Sequence, residues 1–274
     1  MDKIAVVAHV PFHRHEVPSA EFNMRNPAWW KRRAEIFRAY TLASFERQSD
    51  LDFALLLTMA EEDMETGITA PVLDAINSST LSCLYGYGGA ILEEPYQDCQ
   101  WSLAPNQYAW FCEGYGGKGN PPWLVRLQID SDDMYAPGVI EAVKAETPSE
   151  GLMLHWDAGW EYGLDENDRR MAWIDSPKGP PSFLAEFYPQ AALQDAASFA
   201  AYRERWQFNC YHHRTHMCPN NRVMQQGQFL QLIHGSNSSL GWSNPHTQRR
   251  IKNWVTVPEE RQSVFDIFGM EGTP

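Results

Sequence analysis

Trp123-Leu-Val-Arg-Leu-Gln-Ile-Asp-Ser-Asp-Asp133 decides the fold, because a strand-like run passes directly into three carboxylates. Side chains alternate faces along a strand. Val125, Leu127 and Ile129 make one face apolar, while Leu124, Arg126, Gln128 and Asp130 make the other, which turns polar toward its carboxyl end. Pro137 then starts a helix through Val139, Ile140 and Val143. In open α/β sheets, ligands bind in the crevice outside the carboxyl ends of the strands. Asp130, Asp132 and Asp133 are therefore expected at a site.

Working outward, Ile4-Ala-Val-Val-Ala-His-Val10 is a continuous apolar run that stops at Pro11, which is how a strand buried on both faces reads. Asn26-Pro27 opens a helix, with Trp29, Ile36 and Ala43, and Trp30, Phe37 and Ser44, repeating along an apolar face on which Arg33 lies. Leu51 to Thr58 predicts a second strand, Pro71 to Ile76 a short helix, and Ser82 to Leu92 a strand broken by glycines. Gln107 to Glu113 is read as helical, and Gly114 to Pro122 as a turn. Beyond residue 150 the pattern loosens: strands are expected at Leu152 to Trp156, Met171 to Ile174 and Phe229 to His234, and a helix at Ala196 to Trp206. Strand–helix alternation predicts an α/β fold with a mostly parallel sheet flanked by helices. One domain over residues 1–274 is expected, with 1–150 as the ligand-binding half and 151–274 completing the site.

Adjacent carboxylates repel unless a cation or hydrogen-bond donors offset the charge. Hard oxygen ligands suit Mg²⁺ or Mn²⁺, and such an ion would bridge phosphates and offset charge on a departing diphosphate. The plainer alternative is an acidic turn capping the helix at Pro137. The formal net charge of −13, from 22 Lys and Arg against 35 Asp and Glu, disfavours a surface that tracks a nucleic-acid backbone. Five irregularly spaced cysteines read as reduced thiols. The amino terminus does not read as a leader, and no stretch approaches the ~18 apolar residues that would span a bilayer. A cytoplasmic protein is expected.

Arg126-Leu-x-x-Asp-Ser-Asp-Asp-Met134 resembles the metal-binding signature of GT-A-fold glycosyltransferases, and most nearly the bacterial rhamnosyl transferase group related to the family 2 enzymes. Phe22-Asn23, the helix Trp30-x-x-Arg33-x-x-x-Phe37-x-x-x-Thr41-Leu42-x-Ser44-x-x-x-Gln48 with Phe53, and Ile233-His234-Gly-Ser-Asn237 are similar to further segments of that group. The resemblance implies a GT-A-like, Rossmann-like domain and a hexosyltransferase-type activity. A sugar would pass from a nucleoside-diphosphate-sugar to an acceptor hydroxyl on a saccharide, a glycoconjugate or a hydroxylated nucleic-acid base. It also implies roles: Asp130 contacts the ribose or the sugar, Asp132 and Asp133 bind Mn²⁺ or Mg²⁺, and His234 adds a metal or diphosphate contact.

Arg33 and Arg126 are candidates to hold the diphosphate, a task that suits the guanidinium fork; each is equally readable as the partner of a buried carboxylate. Asp157 and Glu186 are the candidates for the base that takes the acceptor proton. Trp156, Trp160 and Tyr162 are read as an acceptor platform or as core. The same carboxylates would also serve a metal-dependent nucleotidyl- or phosphotransferase, and a non-catalytic carbohydrate-binding protein is the third reading. Cys210-Tyr-His-His-Arg-Thr-His-Met-Cys218 does not have the spacing of a closed zinc site. Gly114-Tyr-Gly-Gly-Lys-Gly119 lacks the Walker pattern and precedes a strand, so a P-loop is rejected. No Gly-x-Ser-x-Gly elbow occurs.

Overall fold

Four apolar runs form the parallel core of one sheet: β1 (Ile4–Phe12), β2 (Ala54–Met59), β3 (Cys83–Tyr87) and β4 (Trp123–Gln128). This is a computed structural model that describes residues 4–12, 26–59, 61–87, 121–164, 171–175, 183–208, 218–234 and 258–270. The expected helix at 107–113 and nearly all of the Cys210–Cys218 segment fall outside the described residues.

Spatially the strands run β3-β2-β1-β4, then β9 (Leu184–Pro189), β6 (Leu152–His155) and β10 (Asn220–Val223). Every neighbouring pair is parallel except those made by β9, which runs opposite to both β4 and β6. The expected α/β fold, with a largely parallel sheet and flanking helices, is what forms. The chain steps outward from β1 to β2 and β3, then returns to place β4 on the other side of β1. In open α/β sheets, a reversal of this kind, here between β1 and β4, marks where ligands bind.

One face of the sheet is covered by a helical rod: α1 (Pro27–Ile36), a π-helical turn (Phe37–Leu42) and α2 (Ala43–Glu46). Asn26 caps the rod by accepting the Ala28 N–H at 2.9 Å, and Pro27 follows at the first turn. α3 (Glu61–Glu65) follows β2, while α4 (Ala70–Asn77) and α5 (Val139–Ala145) pack beside the rod. Trp30, Phe37, Phe45, Val72, Val139 and Val143 bury their side chains against Val6, Ala8, Leu55, Leu57, Val125 and Leu127. On the opposite face, Phe199 and Tyr202 of α6 (Ala196–Arg205) close over Val7, Leu56, Leu124, Met153 and Tyr188.

Several elements carry no clear sequence signal, among them β7 (Ala158–Gly163), β9, the exposed edge strand β10 and α7 (Pro258–Phe268). β7 joins β5 (Met134–Tyr135), β11 (Phe229–Ile233) and β8 (Met171–Asp175) in a second sheet, ordered β5-β11-β7-β8. Tyr162, Leu230 and Leu232 of this sheet bury against Ile36 and Tyr40 of the rod and Phe265 and Phe268 of α7. The second sheet thereby brings the end of β11 beside the acidic turn that follows β4.

A polar layer is buried on the α6 face of the large sheet, toward the carboxyl ends of β1, β2 and β4. Arg126 donates from Nε to His9 Nδ1 at 3.0 Å, from Nη1 to Glu186 at 2.8 Å and from Nη2 to Gln128 at 2.6 Å. His9 Nδ1 is therefore an acceptor, which leaves Nε2–H to donate to Thr58 Oγ1 at 2.9 Å. Glu186 also accepts from the Tyr188 hydroxyl at 2.6 Å and faces Arg203 at 3.5 Å. Burial would raise the Glu186 carboxyl, but Arg203 and Arg126 outweigh it and hold it below the usual range.

This layer holds two of the candidate site residues. Arg126 is the partner of a buried carboxylate, and Glu186 is that carboxylate, locked within β9. Removing one member of a buried pair strands the other charge. Glu186→Gln should therefore cost about 3–5 kcal/mol of stability, read as a lower urea midpoint. An unchanged midpoint would show that the pair carries none of the fold.

Candidate active site at the carboxyl end of β4

β4 ends at Gln128, and a tight turn follows in which the Asp133 N–H donates to the Asp130 carbonyl at 3.2 Å. Two buried groups hold this turn. The Tyr135 hydroxyl donates to the Gln128 carbonyl at 2.8 Å, and Gln48, just beyond the rod, grips the far side. Gln48 Nε2 donates to the Ala136 carbonyl at 3.0 Å while its Oε1 accepts the Ile140 N–H at 3.2 Å. The acidic run is thus fixed from beneath, with Ser131, Asp132 and Asp133 all buried.

Asp132 is the focus. Arg33 Nη1 donates to Asp132 Oδ2 at 2.6 Å, and Arg33 Nε donates to Ser131 Oγ at 3.0 Å. His234, at the end of β11, brings Nε2 to 3.0 Å from the same carboxylate oxygen and 3.3 Å from Arg33 Nη1. That nitrogen donates to Asp132 when protonated and accepts from Arg33 when bare. Burial pushes the Asp132 carboxyl up, but Arg33 and then His234 prevail and bring it down to about 2. The Trp29 ring lies 5.9 Å from the Arg33 guanidinium carbon, within cation–π range.

Asp133 has the opposite environment. Its Oδ1 accepts the Leu232 N–H at 2.9 Å, tying the turn to β11. Its Oδ2 is buried and has no hydrogen-bond partner among the described residues. Burial, then the charges of Asp132 and Asp130, push its carboxyl well above the usual range. A buried anionic oxygen without a donor is costly unless a proton or a cation accompanies it. Asp132 and Asp133 offer hard oxygens to a divalent ion, and the unsatisfied Oδ2 fits one. Among the described residues no group of three or more His, Cys, Asp or Glu that could hold a metal ion forms, and Asp132 is engaged with Arg33. Further ligands would then come from a bound diphosphate or from water, as Mg²⁺ commonly takes them.

The two remaining acid candidates lie apart. Glu186 belongs to the buried layer with Arg126, on the α6 face, whereas Arg33 approaches from the rod on the other face. Asp157 follows β6, and its Oδ1 is buried without a hydrogen-bond partner among the described residues. Gln128 and His155 both stand opposite Leu184 of β9. Those two strand ends therefore stand about 10 Å apart, two strand spacings, and Asp130 and Asp157 follow them from the same sheet edge.

The aromatic platform is only partly present. Trp156 is core, 5.1 Å from the Tyr135 ring with its Nε1–H donated to Gln228 at 2.8 Å, and Tyr162 is buried against Phe265. Trp160 is half-buried and meets exposed Trp173 edge to face at 5.0 Å. Sequence reasoning missed Ser131 as the second grip on Arg33. It also missed His9 and Gln48 as the groups that fix the strand ends, because their partners are distant in the chain.

No family model and no curated protein matches the chain, so the expected rhamnosyl transferase family has no matching model. Solved structures that overlay on it include the inositol-1-phosphate CTP transferase from T. maritima, with 10% identity and a TM-score of 0.36, covering 94% of this chain and 100% of that one. Another is a protein from Desulfovibrio desulfuricans G20 provisionally named a nucleotide-diphospho-sugar transferase, with 9% identity and a TM-score of 0.35, covering 98% and 99%. Similarity this loose assigns no activity. Among the described residues no helix is long and apolar enough to cross a membrane.

The two carboxylates respond oppositely to pH. An ordinary carboxyl titrates near about 4. Asp132, held below that value, contributes stability that is complete above about 4 and lost as the pH falls through about 2. Asp133, held above it, favours the folded state in acid, and that contribution is lost as the pH rises from about 4 through its folded value. In a chelator at neutral pH, Asp133→Asn should raise unfolding stability by about 1–3 kcal/mol, since Asn retains the acceptor for Leu232 without the charge. Urea titrations across acid to neutral pH would also show a flatter decline in the variant; an equally steep decline would remove Asp133 as its source.

Proposed function

We propose that the chain is a glycosyltransferase that moves a sugar from a nucleoside-diphosphate-sugar to an acceptor hydroxyl, with a divalent cation at Asp132 and Asp133. The observation that carries this reading is the pairing of Asp132, held by Arg33 and His234, with the unsatisfied buried oxygen of Asp133, at the carboxyl end of β4. A diphosphate needs concentrated positive charge as it departs, and a guanidinium together with a cation held by a carboxylate pair would supply it. Mn²⁺ or Mg²⁺, held there by Asp132 and Asp133, would offset the charge that develops on the departing diphosphate. The largely parallel sheet and the reversal of strand order beside β4 are the architecture in which such ligands bind.

Arg33 and Asp130 serve the donor in this reading, Arg33 on the diphosphate and Asp130 on the ribose or sugar. His234 steadies Asp132 and contacts the diphosphate or the metal. Asp157 is preferred over Glu186 as the base, because Glu186 is neutralised by Arg126 and Arg203 while Asp157 keeps an unsatisfied oxygen on the same edge as Asp130. The acceptor hydroxyl oxygen bonds to the anomeric carbon, its proton passes to Asp157, and the bond from that carbon to the diphosphate oxygen breaks with its electron pair leaving on the diphosphate. The acceptor is a saccharide or glycoconjugate, and the net charge of −13 disfavours a nucleic acid.

Nucleotide-sugars, each with and without Mn²⁺, should raise the melting temperature of the chain, and hydrolysis or transfer should release free nucleoside diphosphate. Asp132→Ala should lower turnover by about 100-fold or more, the scale seen when one transition-state charge contact is lost, while the fold persists. Release of pyrophosphate instead would replace this reading with a nucleotidyltransferase. Absence of any thermal shift from nucleoside diphosphates and their sugars, in both conditions, would end it.

A further inference from the structure

Arg33 and the cation of the proposed centre compete for one atom. Asp132 Oδ2 holds Arg33 Nη1 at 2.6 Å and His234 Nε2 at 3.0 Å. An oxygen wrapped in two basic groups cannot also ligate a divalent ion at bonding distance without one of them withdrawing. His234 is nearly sealed, at 2% side-chain exposure, whereas Arg33 keeps 12% and ends a long, jointed stem. Arg33 is therefore the group that can leave. Its Nη2 has no partner among the described residues, so that nitrogen can meet an anion while Nε and Nη1 grip Ser131 and Asp132.

We propose that Arg33 is the resident counter-ion of Asp132 and yields that carboxylate to the cation only when a diphosphate arrives to receive the guanidinium. The inference rests on the metal-and-diphosphate reading of the site and adds an order to it. Before the donor binds, Arg33 neutralises Asp132 and opposes entry of a bare cation. When the cation and diphosphate arrive together, Asp132 exchanges the guanidinium for the cation and Arg33 exchanges the carboxylate for phosphate oxygens, so no charge is left uncovered. Cation and nucleotide then bind with positive coupling, and by linkage each raises the affinity of the other by the same factor. No bond to carbon changes and no proton need move.

The test measures Mn²⁺ binding by the loss of the free-ion electron paramagnetic resonance signal, with and without UDP or GDP, whichever stabilises the wild type. Removing a close counter-charge changes affinity by about tenfold or more. Arg33→Gln should therefore bind Mn²⁺ alone at least about tenfold more tightly than the wild type, and should lose most of the enhancement that the nucleotide gives. Arg33→Lys, which keeps the charge but cannot bridge Ser131 and Asp132 together, should fall between the two. A merely structural arginine would lower the melting temperature of both variants and leave Mn²⁺ affinity unmoved or weaker, and that result overturns the proposal. Wild-type protein that takes Mn²⁺ with nucleotide, beside an Arg33→Gln variant with no tightening, sinks the counter-ion exchange alone. Failure of the wild type to take Mn²⁺ even with nucleotide sinks the metal reading and this inference with it.

Discussion

A single buried carboxylate, Asp132, organises the site, and much of the molecule is arranged to make its burial tolerable. An ionised carboxylate taken out of water needs opposite charge and donors close at hand. The chain supplies them from the rod through Arg33 and from the end of β11 through His234. Neither donor is near Asp132 in sequence, so the site assembles only when the rod has packed on the large sheet and the second sheet has closed beside it. The second sheet serves as the arm that delivers His234 and the Leu232 N–H to the acidic turn.

The large sheet carries a second buried charge system, and the two are kept apart by its faces. Arg126, Glu186 and Arg203 satisfy one another on the α6 side, with His9, Thr58 and Gln128 completing the hydrogen bonds. Asp132 and Asp133 lie past the strand end, beside the rod. The first system is saturated and suits a structural role. The second is lopsided, since Asp132 has a basic partner on two sides while a neighbouring Asp133 oxygen has no hydrogen-bond partner among the described residues. Imbalance of that kind costs stability, and such local cost clusters at functional sites.

The parts of this fold that were legible share one property: their reasons are local. β1 and β2 are largely apolar runs because both faces of the sheet are covered, and the acidic run follows β4, one face of which is wholly apolar. Arg33 was legible as a polar break in an apolar helical face. β9 was not, because Glu186 looks like a surface acid until Arg126 stands across from it in the adjacent strand. The same blindness made Arg126 a diphosphate candidate. β7 carries two glycines in six residues, and β10 is a polar edge strand, so neither has the alternation that marks a strand. Trp156 and Tyr162 were ambiguous because an aromatic side chain reads the same in a core and on a platform.

The π-helical turn at Phe37–Leu42 sits between the two places where the rod is anchored. Arg33 grips the acidic turn at Ser131 and Asp132, and Gln48 grips the same segment at Ala136 and Ile140. Each residue of an α-helix advances the azimuth by about 100°, so the two grips face one wall only if the winding between them has the right phase. A wide turn carries surplus residues per revolution and resets that phase. The rod behaves as a key cut to a fixed number of notches: its length and its winding are constrained together. Deletion of one residue within the wide turn would leave a smoother helix that could still pack its apolar face, yet could no longer hold both ends of the acidic segment at once.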